Sequence, residues 1–119
     1  MKKTVVIGAS PNKGRYSHLA TIKLAQYGHE VIPLGIKTGE IDGHQIIVGK
    51  PDISDVHTIT LYIRAQNQLE WYNYILKLKP HRIIFNPGAE NDELNTLAQS
   101  NGIETREACT LVMLSANLY

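Results

Sequence analysis

The chain has 119 residues, of which 43% are hydrophobic and 19% charged. That composition fits one globular domain, able to bury roughly two thirds of its unfolded surface without help from disulfides or metals. The formal net charge of +1 excludes the basic stripe or tail of a general nucleic-acid binder. The single cysteine, Cys109, excludes an internal disulfide and suits a reducing compartment. The apolar run beginning at Thr4 is too short for a signal peptide, and no stretch approaches membrane-spanning length. A cytoplasmic protein with no membrane and no nucleic-acid partner is therefore expected.

Apolar strands alternate with helical patterns along the chain, which predicts βαβ units and a parallel sheet. Thr4 to Ala9 is β-branched and apolar on both faces, like a central parallel strand. A polar turn, Ser10-Pro11-Asn12-Lys13-Gly14, leads into a helix from about Arg15 to Tyr27, with Tyr16, Leu19, Ala20, Ile22 and Leu24 as its apolar side. Gly28 is placed to end it in a left-handed conformation. The second strand, Glu30 to Leu34, follows at once.

Residues 35–56 are the least regular part. Ile46-Ile47-Val48 is expected as a short strand at one edge, reached by a loop rather than a helix. His57 to Ile63 is the fourth strand. A helix from Gln66 to Leu78 carries Leu69, Tyr72, Ile75, Leu76 and Leu78, and Pro80 stops it. Arg82 to Phe85 is the fifth strand, ending in the turn signal Asn86-Pro87-Gly88. Asn91 is a good N-cap, and Asp92 and Glu93 put negative charge where a helix dipole favours it. Asn101-Gly102 closes that helix, Ile103 to Glu107 is a possible sixth strand, and Leu111 to Leu118 reads as a terminal helix. These elements predict a Rossmann-like, three-layer α/β domain spanning 1–119. Its sheet is mainly parallel, five- or six-stranded, in the order 3-2-1-4-5.

In such a sheet ligands bind beyond the carboxyl ends of the strands, where the strand order reverses. That directs attention to the segments after strands one, two, four and five. Gly8, Ala9 and Ser10, followed by Gly14, let a ligand approach the backbone at the start of a helix, and free amides there suit a phosphate or diphosphate. Ser10 and Lys13 add a hydroxyl and a charge. The spacing is not G-x-G-x-x-G, so a tight turn without a ligand stays open as an alternative.

The end of the second strand carries Leu34, Gly35, Ile36 and Lys37. The acid that holds the ribose of NAD is missing there. Lys37 suits a phosphorylated ribose instead, which points to NADP or coenzyme A, unless it is simply a solvated lysine. Tyr62-Ile63-Arg64 ends the fourth strand, where Arg64 has the geometry for a bidentate phosphate contact or for an ordinary surface arginine. Asn86 to Asn91 either lines the pocket or is a plain turn into the N-cap. No catalytic constellation stands out. The five histidines lack zinc-ligand spacing, and neither a G-x-S-x-G elbow nor a P-loop is present.

Taken together, Val6-Ile7-Gly8-Ala9-Ser10 with Asn12-Lys13 and Tyr16, Val31-Ile32-Pro33, Gly39-Glu40-Ile41-Asp42-Gly43 and Ile83 to Asn91 resemble the small CoA-binding domain family. Nearly the whole chain takes part. The family's Rossmann-like fold also forms the N-terminal domain of the alpha subunit of succinyl-CoA synthetase. The resemblance implies that the chain binds coenzyme A or an acyl-CoA as a non-catalytic module. It implies that Gly8, Ser10, Lys13 and Tyr16 hold phosphates and adenosine, with Ala9, Asn12 and Ser17 also among the cofactor-binding residues. Pro33 and Lys37 would border the adenine and its ribose phosphate, and Tyr62, Ile63 and Arg64 would flank the nucleotide. Asn86, Pro87 and Glu90 would lie towards the thiol arm, with Gly88 also cofactor-binding. Many members carry Asn-Pro after the second strand, where this chain has Leu34-Gly35. The synthetase's phosphorylated histidine belongs to another domain, so no reaction is implied. Two other readings remain: an NADP-dependent oxidoreductase using Tyr16, Tyr62 or Glu90 as proton donor, and an interaction domain without a ligand.

Overall fold

The computed structural model describes residues 1–119. The first strand, β1 (Thr4–Ala9), is buried almost throughout and is followed by α1 (Tyr16–Gln26). Gly28, at φ +88°, turns the chain out of α1 into β2 (Val31–Gly35). A short hairpin, β3 (Gly39–Ile41) and β4 (His44–Val48), comes next, then β5 (Thr58–Leu61). The helical stretch after β5 comprises α2 (Ala65–Gln68), a 3₁₀ turn (Leu69–Trp71) and α3 (Tyr72–Leu78). The chain closes with β6 (Arg82–Phe85), α4 (Asp92–Ser100), β7 (Glu104–Glu107) and α5 (Thr110–Ser115).

All seven strands form one sheet in the order β3-β4-β2-β1-β5-β6-β7. Every pairing is parallel except β3 with β4. The expected order 3-2-1-4-5, extended by a sixth strand, is the run β4-β2-β1-β5-β6-β7. The correction is the extra strand β3, which covers β4 and takes its place at the edge. Asp42 and Gly43 both adopt positive φ (48° and 87°), the conformation of a two-residue turn whose twist matches a hairpin. The chain thus returns to a strand parallel to β2 by way of a hairpin rather than a helix.

Alternation along the strands divides the interior between two faces. Val5, Ile7, Ile59, Leu61, Ile83 and Phe85 point to one side, where Tyr74, Ile75 and Leu78 of α3 and Leu94 and Ala98 of α4 cover them. Val6 and Val31 point to the other, under Leu24 of α1 and Leu114 of α5. Helices on both faces make the three layers. Each fully buried Ile or Leu contributes about 1.5–3 kcal/mol. β1 changes sides at its end: the pairing with β2 slips between Ile7 and Ala9, Gly8 sits at φ +100°, and Ala9 joins the α1 side.

Two helices differ from their patterns. In α1 the fully buried apolar residues are Ala20 and Leu24, whereas Tyr16 and Leu19 are exposed, and Ser17, His18 and Thr21 are buried in their place. The continuous helix expected from Gln66 to Leu78 is broken at the 3₁₀ turn, with Gln68 fully buried and Leu69 65% exposed. The cause is polar: the Gln68 side chain turns inward to backbone carbonyls.

Candidate functional site

β1 lies between β2 and β5, where the chain's connections leave the sheet in opposite directions. The loops following β1, β2, β5 and β6 enclose a cleft of about 660 Å³ at that point, within the range of small-molecule and cofactor sites. Gly8, Ala9, Ser10, Asn12, Tyr16, Ser17, Lys37, Tyr62, Ile63, Arg64, Pro87 and Gly88 all line it.

Four of the expected residues stand outside this lining. Pro33 is buried within β2. Lys13 projects into solvent from the turn. The Asn86 side chain is buried and fully engaged: its Nδ2 donates to Thr60 Oγ1 (2.7 Å) and to the Leu61 carbonyl (2.9 Å), and its Oδ1 accepts from Thr110 N (2.9 Å). It secures the start of α5 beneath the cleft. Glu90 folds back to accept from the Gly88 amide (2.9 Å).

The turn after β1 is tied internally. Asn12 N donates to Ser10 Oγ (3.1 Å), Gly14 N to Asn12 Oδ1 (2.9 Å) and Arg15 N to Asn12 O (3.1 Å). His18, buried behind the turn, holds the Ser10 carbonyl through Nδ1 (2.9 Å). This leaves Ser10 N, Tyr16 N and Ser17 N without an acceptor in the protein. Ile63 N and Arg64 N, across the cleft, are likewise unpaired. Such groups at the positive end of a helix favour an anion.

Close approach to the backbone has been kept open by glycine. A Cβ on Gly8 would lie 2.9 Å from Ile63 Cγ2 and 3.0 Å from the Tyr62 backbone, so β1 and the loop after β5 meet there with no room for a side chain. A Cβ on Gly35 would fall 2.3 Å from the Ala9 carbonyl oxygen. The Leu34-Gly35 pair therefore lets β2 end directly against β1.

Charge in the lining is of one sign. Arg15, Lys37 and Arg64 contribute cations, and no carboxylate lines the cleft. Pro11, Gly14, Arg15, Ile36 and Ala89 complete the wall. Arg15 carries a sequence signal: it is a basic residue at the start of a helix, where acids are usual. Ile36 carries another, being an apolar residue beside Lys37 in a polar loop; it is 87% exposed on the rim. Ala89 lies in the Asn86–Asn91 turn already expected as a possible lining, and Pro11 has no such signal.

The two tyrosines play different parts. Tyr16 is 74% exposed. The Tyr62 hydroxyl is buried without a hydrogen-bond partner, and burial pushes its pKa up. Neither ring plugs the cleft. The residues after β6 add an apolar, small-residue end made by Pro87, Gly88 and Ala89. No three or more His, Cys, Asp or Glu side chains gather as a metal site would need, and no helix is long and apolar enough to cross a membrane.

Residues 2–115 match the model of a family described as CoA binding domain. The chain superposes with a TM-score of 0.98 on the crystal structure of an uncharacterized protein that is 55% identical, covering 100% of this chain and 98% of that one. A hypothetical protein from Pyrococcus horikoshii OT3 superposes at 0.86 with 23% identity, over 98% of this chain and 83% of the other. The likeness extends, as fold alone, to part of an oxidoreductase from Bacillus cereus: TM-score 0.59, 15% identity, 89% of this chain and 34% of the enzyme. No curated protein matches. With the family model spanning residues 2–115, nearly all of its length, the chain belongs to the CoA-binding domain family.

Proposed function

We propose that this protein binds coenzyme A or an acyl-CoA in the cleft at the carboxyl ends of its strands, as a non-catalytic cytoplasmic module. The observation that carries the reading is the composition of the lining. Unpaired amides at the start of α1 face three cationic side chains with no carboxylate among them, a setting for a ligand with several phosphates. Lys37 follows β2, where a dinucleotide site for NAD would hold an acid. The apolar end formed by Ile63, Pro87 and Ala89 suits an uncharged arm rather than a second nucleotide.

The NADP-dependent alternative needs a proton donor in the cleft. Tyr62 has its hydroxyl buried, and Glu90 is held by the Gly88 amide outside the lining. Only Tyr16 is left, which weighs against that alternative.

Titration calorimetry with coenzyme A, acetyl-CoA and NADPH tests the proposal. Saturable heat with either CoA species, and a thermal shift on adding it, is the expected result. No heat and no thermal shift at roughly millimolar coenzyme A, a regime in which even weak specific sites fill, would overturn it. Tighter binding of NADPH than of CoA would transfer the site to the alternative.

A further inference from the structure

Gln68 is fully buried at the end of α2, although its neighbour Leu69 is 65% exposed. Burying an amide and exposing a leucine at adjacent positions opposes the hydrophobic effect, so the inward turn must be stabilised by what the amide binds. Its Nε2 donates to the Ile63 carbonyl (2.8 Å) and the Ala89 carbonyl (2.7 Å). Its Oε1 accepts from Asn91 Nδ2 (2.9 Å). The orientation is fixed by its partners, because carbonyls only accept. Neither carbonyl has another hydrogen-bond partner in the protein.

Ile63 and Ala89 belong to different loops, one after β5 and one after β6, and both line the cleft. A single side chain thus ties together the two walls of its apolar end. Asn91 anchors the tie to α4, where its Oδ1 caps Leu94 N (3.1 Å). The free amides of α1 and the charges of Arg15, Lys37 and Arg64 line the same cleft, whereas the side chains of Ile63 and Ala89, whose carbonyls Gln68 joins, belong with Pro87 to its uncharged lining. That uncharged lining matches the uncharged part of the ligand.

We propose that Gln68 is a positioning residue that sets the spacing of the loops after β5 and β6 and thereby selects for a ligand's uncharged arm. This rests on the CoA reading above. Gln68 touches no ligand itself; it acts through the backbone of Ile63 and Ala89.

The test compares coenzyme A with 3′-phosphoadenosine 5′-diphosphate, which has the base and all three phosphates but lacks the arm. Both are titrated by calorimetry into the unaltered protein and into Gln68→Met, which has similar length and no hydrogen-bonding groups. The variant is expected to weaken coenzyme A about tenfold, the scale of one buried hydrogen-bond pair left unmade, with the arm-free nucleotide bound as before. Equal loss for both probes, or no loss for either, would show Gln68 to be a structural staple only. Asn91→Thr provides a second route should Gln68→Met not fold: threonine keeps an N-cap oxygen but removes the donation to Gln68. It is expected to shift the same preference in the same direction by less, and an unchanged preference overturns the proposal. Failure of the unaltered protein to bind either probe would overturn the CoA reading and this inference with it.

Discussion

Four helices begin at the carboxyl end of the sheet, and two of them, α1 and α4, begin in opposite ways. α4 is closed by its own residues: Asn91 accepts from Leu94 N at 3.1 Å, and Asp92 and Glu93 occupy the first turn. α1 has Arg15 at its N-cap, no side-chain cap and no acid in its first turn. Its first amides, at Tyr16 and Ser17, donate to nothing in the protein. A helix that satisfies its own positive pole is structural. One that meets that pole with an arginine and an open cleft stays prepared for an anion from outside. The same fold thus holds a finished helix start and an unfinished one, and only the unfinished one lines the cleft.

That contrast can be broken most severely at Gly8, where the backbone reaches α1. Gly8→Ala would force a side chain into φ +100° within 2.9 Å of Ile63 Cγ2 and 3.0 Å of the Tyr62 backbone. A loss of about 2–4 kcal/mol in folding stability is expected from strain and overpacking together, measurable by urea denaturation, and CoA binding should be lost with it. An unchanged midpoint would mean that the close approach of β1 to the loop after β5 is not tight.

A sharper test gives α1 the start that α4 already has. Arg15→Asp places an acid at the N-cap. The helix should gain about 0.5–1 kcal/mol while coenzyme A loses about tenfold to a hundredfold in affinity, read by calorimetry. Opposite signs for stability and binding are the signature of a pole reserved for a ligand. If affinity is retained, the anion sits elsewhere.

The converse change, Asn91→Ala, opens the start of α4. It removes the cap and the donations to Gln68 and Tyr72, and should cost about 1–2 kcal/mol in denaturant unfolding. Binding of 3′-phosphoadenosine 5′-diphosphate should be unaffected, because the start of α1 does not depend on α4. A parallel loss would merge the two helix starts into one functional unit.

The smallest effect belongs to the other end of the sheet. His29 and His57 have pKa values lowered from 6.5, by burial first and then by nearby positive charge, Arg82 among it. His29 Nδ1 accepts from Lys2 N (2.9 Å), so protonation there breaks a contact. The unfolded chain takes up protons near pH 6.5, before the folded one does. Stability from these groups is therefore complete above that pH and falls as pH drops through it towards the lower folded values. Thermal melts between about pH 5 and pH 8 should show this fall. A variant with both histidines changed to asparagine should flatten it, and a slope that persists in the variant would place its origin elsewhere.

Much of this was written in the chain itself. β1, β6 and the capped start of α4 follow from local rules, namely apolar β-branched runs for central parallel strands and Asn91-Asp92-Glu93 for a helix start. Lys37 after an acid-free β2 and the glycines around Ser10 marked the cleft because helix poles and backbone access depend on neighbours in sequence. The β3–β4 hairpin was also legible, in Asp42-Gly43, but three residues of strand carry too little pattern to stand out. Tertiary structure alone decided the rest. Whether Asn86 faces a ligand or α5, whether Glu90 reaches the cleft or folds onto Gly88, and why a glutamine is buried beside an exposed leucine depend on partners 21–26 residues away or, for Glu90, on loop conformation. A side chain's local pattern fixes its helix or strand, whereas the group that satisfies its polar atoms is fixed only when distant loops are brought together.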